Sequence, residues 1–163
     1  MISNKKKDSI SDFGKQFKYH NNIDDYWGSL EILKDIVNPF DLSSIKNKII
    51  CEMGVGSGRI LKNLIKLSPK KIYAIEPSEA IEIAKKNNEY AEVEILFKKI
   101  SGQMINFKNE IDYIFSIGVI HHIPDAEIVC KKIYESLKPK GKFVIWLYGK
   151  EGNELYLFIF NIG

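Results

Sequence analysis

Cysteine is scarce in this chain, and its two copies, Cys51 and Cys130, stand far apart with no CxxC pair. That excludes a disulfide-stapled scaffold and a thiolate zinc site, and two isolated thiols fit a reduced, cytoplasmic protein. Histidine is nearly as sparse. His20, His121 and His122 are the full set, no pair has helical i, i+4 spacing, and no metal is expected. Long apolar runs are missing too. Nothing approaches the roughly 20 residues of a membrane-spanning helix. No apolar stretch follows the basic start Lys5-Lys6-Lys7, so neither membrane association nor a secretory signal is expected, and these lysines read as a solvated tail. Charge of one sign is also lacking: 24 Lys and Arg against 21 Asp and Glu leave a net charge of +3, too little to argue for a nucleic-acid partner.

What is present is an ordinary globular composition, 45% hydrophobic and 28% charged over 163 residues, enough for one core. Apolar periodicity predicts a helix from Asp24 to Val37 ended by Pro39. Short apolar runs predict strands at 49–51, 71–75, 93–97, 111–117 and 142–148. Helical spacing predicts helices at 59–67, at 79–88 with Ser78 as N-cap, and from Asp125, a second candidate cap, to Leu137. Lys138-Pro139-Lys140-Gly141 reads as a tight turn. Alternating strands and helices predict an α/β fold with a parallel sheet covered on both faces.

The densest signal is Glu52-Met53-Gly54-Val55-Gly56-Ser57-Gly58, between the first strand and its helix. Glycines at alternate positions allow a sharp turn and close backbone approach to a ligand. A dinucleotide fingerprint needs its third glycine one position later, where Arg59 stands, and the phosphate-loop ending Gly-Lys-Ser/Thr is absent. The spacing is instead G-x-G-x-G with an acid before it.

This stretch resembles the first motif of the class I S-adenosylmethionine-dependent methyltransferases, especially the bacterial small-molecule type. Four more segments resemble the family in order: Ala74-Ile75-Glu76-Pro77-Ser78, Ile111-Asp112-Tyr113-Ile114-Phe115-Ser116, His121-His122-Ile123-Pro124-Asp125 and Leu137-Lys138-Pro139-Lys140-Gly141-Lys142. The resemblance covers roughly residues 45–150. It implies a Rossmann-like, doubly wound, mostly parallel sheet over residues 41–163, preceded by an N-terminal helical or lid segment, residues 1–40, in which 13–17 and 26–27 are the lid candidates. It implies S-adenosyl-L-methionine as cofactor, held by Glu52, Gly54, Gly56, Gly58, Glu76, Pro77, Ser78, Ser101, Ser116 and Gly118. Glu76 would accept both ribose hydroxyls, a charge-assisted pair of bonds. Glu52 would face the amino-acid end or hold the loop. The acid that family members often carry after the third strand is replaced by Lys99-Ile100-Ser101-Gly102-Gln103. His121 or His122 would serve as a general base or close the loop structurally. Tyr148 to Asn153 reads as a surface turn close enough to touch substrate.

The expected reaction is methyl transfer to an O, N or C nucleophile of a small molecule. Nucleic acid is not expected, since no Asn/Asp-Pro-Pro-aromatic motif follows the fourth strand. The alternative is a non-catalytic cofactor-binding fragment or degenerate homologue. The family's sheet continues past the fifth strand, whereas this sequence stops at Gly163 after the apolar run 154–160. The sheet is therefore expected to lack its last strands, leaving the fifth with a hydrophobic edge open to self-association.

Overall fold

The computed structural model of the protein describes residues 28–149. The basic tail, both lid candidates, residues 24–27 and the run 154–160 lie outside the described residues; the helix expected from residue 24 starts only at Leu30, because Ser29 before it is extended and acts as its N-cap. Among the described residues there are five strands and four α-helices, alternating except between β3 and β4: α1 (Leu30–Val37), β1 (Ile49–Met53), α2 (Arg59–Ile65), β2 (Lys71–Ile75), α3 (Ala80–Asn87), β3 (Glu94–Lys98), β4 (Ile111–Ile117), α4 (Ala126–Ser136) and β5 (Leu137–Trp146). The strands lie in the order β3-β2-β1-β4-β5, every neighbouring pair parallel. This bears out the doubly wound α/β expectation.

Strand alternation builds two cores, one on each face of the sheet. Ile50, Ile72, Ala74 and Phe115 pack with Leu33, Val37, Leu61 and Leu64 of α1 and α2 on one side. Cys51, Met53, Tyr73, Ile75 and Ile114 pack with Val129 and Ile133 of α4 on the other. Helix α1 belongs to this body. Its N-cap Ser29 accepts from the Ile32 amide at 3.2 Å, and its apolar stripe ends with Leu33 and Val37 buried.

Local chemistry departs from expectation in three places. Strand β5 begins at Leu137, not Lys142, because Ile111 pairs with Leu137 and Tyr113 with Lys142. Lys138–Gly141 is therefore a bulge within the strand rather than a turn before it. The bulge carries Lys138 onto Asp112, whose carboxylate accepts from the Lys138 ammonium at 2.8 Å and from the Ile49 amide at 2.9 Å. Asp125 does precede α4, but it sits in the left-handed region at φ 55° and makes no side-chain cap bond. Glu79 occupies the N-cap position of α3, while Ser78 accepts the Ala80 amide at 3.2 Å from one residue further out.

Candidate functional site

After β3 the chain crosses back over β2 and β1 to form β4, so the connections leaving β1 and β4 diverge to opposite faces. Ligand sites of open α/β sheets form at such a switch point, beyond the carboxyl ends of the strands. A cavity of about 530 Å³ lies there, lined by residues that follow β1 (Gly54, Val55, Gly56, Ser57, Arg59), β2 (Glu76, Pro77) and β4 (Gly118, Val119, His122, Ile123), by Ser101–Gln103, and by Tyr148 after β5.

The glycine turn is pinned to β2. The amides of Gly54 and Val55 both donate to the Ile75 carbonyl, at 2.8 and 3.1 Å. Gly54 has φ +81°, and a Cβ there would collide with the Val119 methyls, so only glycine lets the two loops close on each other. Glu76, 8% exposed, receives the Gly56 amide on one carboxylate oxygen and the Ser78 amide on the other, both at 3.0 Å. Glu52 is 3% exposed, and its Oε2 has no hydrogen-bond partner. Burial, with the Glu76 charge adding to it, pushes its carboxyl well above the ordinary 4.5.

Across the cavity, His121 and His122 lie with ring centroids 4.0 Å apart, and His121 meets Tyr148 edge-on at 4.8 Å. Burial holds both imidazoles below their usual pKa, with the neighbouring His122 adding to the effect on His121. At neutral pH both are therefore mainly uncharged. Gln103 donates from its amide to the Pro124 carbonyl at 2.8 Å, tying the turn after β3 to the loop after β4.

Of the residues singled out from the sequence, Glu52, Gly54, Gly56, Glu76, Pro77, Ser101, Gly118 and His122 line the cavity. Four do not. Gly58 sits at φ +91° beneath α3, where a Cβ would stand 2.6 Å from the Asn88 amide nitrogen and 3.3 Å from the Ala84 Cα; it is a packing position. The Ser78 hydroxyl is turned to α3. Ser116 is fully buried within β4 with its hydroxyl unpartnered, because the strand runs one residue further and the chain turns outward only at Gly118. His121 is exposed beside the cavity. Val119 falls in the segment after the fourth strand that is expected at the carboxyl edge of the sheet, whereas Arg59 and Ile123 were missed, since they meet the cavity only once the sheet is assembled. Tyr148, read from the sequence as part of a surface turn, belongs to the wall.

Residues 51–145 match the family described as the methyltransferase domain. The chain belongs to this family. Among its relatives, the tRNA U34 carboxymethyltransferase of Aliarcobacter butzleri is 25% identical over 134 residues, 81% of this chain and 43% of that protein. The enzyme of the same name from Helicobacter acinonychis is 29% identical over 131 residues, 76% of this chain and 48% of that one. The chain thus spans under half the length of these curated relatives. A Methanococcus maripaludis structure assigned as an S-adenosyl-L-methionine-dependent methyltransferase superposes with a TM-score of 0.66 at 26% identity, covering 85% of this chain and 62% of that one.

The expectation of a small-molecule acceptor, with nucleic acid set aside, is corrected here, because these relatives carry names that put the acceptor on a tRNA. Net charge misled, since it reports a whole-chain average and carries no information about a single mouth. The cofactor is S-adenosylmethionine, and the donor set fits it. The molecule brings a cationic ammonium, a sulfonium and a ribose diol, and the β1–β2 side of the cavity offers two buried carboxyl groups, one with an oxygen lacking a donor. No helix among the described residues is long and apolar enough to cross a membrane.

Proposed function

We propose that the protein binds S-adenosylmethionine in this cavity and directs its transferable group onto a base of a tRNA. The observation that carries the reading is Glu76. Its carboxylate is already aimed by two backbone amides and keeps lone pairs toward the cavity, which suits the two ribose hydroxyls. The unpartnered Glu52 oxygen is assigned to the ammonium, and the bare backbone at Gly54 and Gly56 to close approach of the amino-acid and ribose portions. Pro77, Ser101 and Gln103 form the adenine side. When bound, the cofactor supplies a sulfonium-activated group for in-line displacement. The chain's own contribution is positioning and exclusion of water. Neutral His122, on the wall facing the acids, is the group able to take a proton from the acceptor. The acceptor class is supported by the names of the tRNA-modifying relatives. A cytoplasmic location is part of the same reading, supported by the free thiols of Cys51 and Cys130.

The test is incubation with methyl-labelled S-adenosylmethionine and an in vitro transcribed tRNA pool, followed by mass spectrometry of the nucleosides for an added methyl group. Label should enter the tRNA. Glu76→Ala should weaken S-adenosylhomocysteine binding by about 10- to 100-fold, the value of one or two charge-assisted bonds. Tight S-adenosylhomocysteine binding with no label in any tRNA would leave a cofactor-binding protein without this transfer activity.

A further inference from the structure

The two sides of the cavity differ in chemistry. Among the described residues, the charged ones that line it, Glu52, Arg59 and Glu76, belong to the end of β1 or follow β1 or β2, and those supplied after β4 and β5 carry no charge. That wall ends in a cluster of rings. Tyr148 lies 4.9 Å from Trp146 at an interplanar angle of 75°, 4.8 Å from His121 at 76°, and 6.2 Å from His122 at 64°. Among the described residues every ring neighbour meets it edge to face and none lies parallel to it, although the residue is 59% exposed. The hydroxyl of Tyr148 and the indole of Trp146 both rest 3.5 Å from where a Gly118 Cβ would stand, so the rings are seated against the loop after β4. A side chain packed on three sides yet more than half open is held in orientation while its surface stays free.

We propose that Tyr148, oriented by Trp146 and His121 and flanked by His122, is the stacking surface that seats the acceptor base at the mouth of the cavity, so that the acceptor is a flat, uncharged heteroaromatic ring. The inference rests on the tRNA reading above and narrows it to a base taken out of its own stack. Stacking on an aromatic side chain rewards any π-face, and it needs no charge from the wall, which this wall lacks. His122 lines the cavity beside that surface, so a base resting on Tyr148 has an uncharged imidazole next to it. Trp146 and His121 act through Tyr148 and are positioning residues.

The experiment compares the parent protein with Tyr148→Leu and Tyr148→Phe, each saturated with S-adenosylhomocysteine and titrated with a fluorescently labelled anticodon stem-loop RNA. Leucine keeps the apolar bulk and removes the ring, whereas phenylalanine keeps the ring and removes the hydroxyl. RNA affinity should fall by about 5- to 150-fold in Tyr148→Leu, the range expected for one lost base stack, and phenylalanine should restore most of it. In turnover the leucine loss should appear in KM for RNA, with S-adenosylhomocysteine affinity as in the parent. If Tyr148→Leu binds RNA as tightly as the parent, the stacking role is overturned and the tRNA reading stands. If the parent itself neither binds nor labels RNA, the tRNA reading falls, and the stacking role with it.

Discussion

Glu52 combines two conditions that oppose each other. It is enclosed at the end of β1, with one carboxylate oxygen lacking a donor, and burial pushes its pKa up. Above its unfolded value of 4.5, the unfolded chain releases a proton that the folded chain keeps or ionises at a cost. Stability is therefore lost as pH rises from that value toward neutrality. Glu52→Gln should melt at a higher temperature than the parent at pH 7, with the gain vanishing as pH falls to the unfolded value. The same variant should bind S-adenosylhomocysteine more weakly. Thermal melts at the two pH values check this, and a Gln variant less stable than the parent at pH 7 would mean the carboxylate is already satisfied. Site residues were legible where chemistry is local. Glu76 stands out as an acid closing an apolar strand, and Gly54 as a glycine in an acid-led glycine repeat. The bounds of β4 match the expected 111–117, but a strand's sequence does not say which of its last residues reaches the cavity, and Ser116 is buried short of it.

At the scale of elements, Asp112 holds the amino ends of three strands together, taking Ile49 of β1 and Lys138 of β5 on one carboxylate oxygen. Burial alone would raise its pKa, but hydrogen bonds from Lys138 and Ile49 outweigh it, with the Lys138 and Lys48 charges helping, so the net shift is downward. A lowered pKa means stabilisation present above the ordinary 3.8 and lost as pH falls through the folded value. Asp112→Ala should cost about 1.5–3 kcal/mol at neutral pH, the range for bonds to a charged group. Urea denaturation measures it, and a cost under about 0.5 kcal/mol would reduce the contact to a solvated surface pair. The strands and helices themselves were readable from apolar runs and periodicity. The start of β5 was not, because Pro139 and Gly141 carry the same local signal whether they end a helix or bulge a strand. Only pairing with β4 decides between them. Tyr148 was legible in part: its place after the fifth strand put it within reach of substrate, but whether it is wall or surface turn is decided only by the loop after β4 packed beside it.

For the whole molecule, the cavity joins segments contributed by β1, β2, β4 and β5, so a ligand filling it links both halves of the sheet. S-adenosylhomocysteine at a hundred times its Kd should raise global stability by about 2.7 kcal/mol. Differential scanning fluorimetry reads this as a concentration-dependent rise in Tm, and an unmoved Tm would exclude the cavity as the cofactor site. The contact between Gly54 and Val119 crosses the same divide. The Val119 methyls fill the space that a side chain at 54 would need. The two positions therefore cannot drift independently. The bulk tolerated at one is conditional on the residue at the other, and substitutions there should be non-additive. A divergent homologue that has given up the glycine is expected to carry a smaller residue than valine in the facing loop, so covariation of this pair would trace how the two halves of the site have evolved as one.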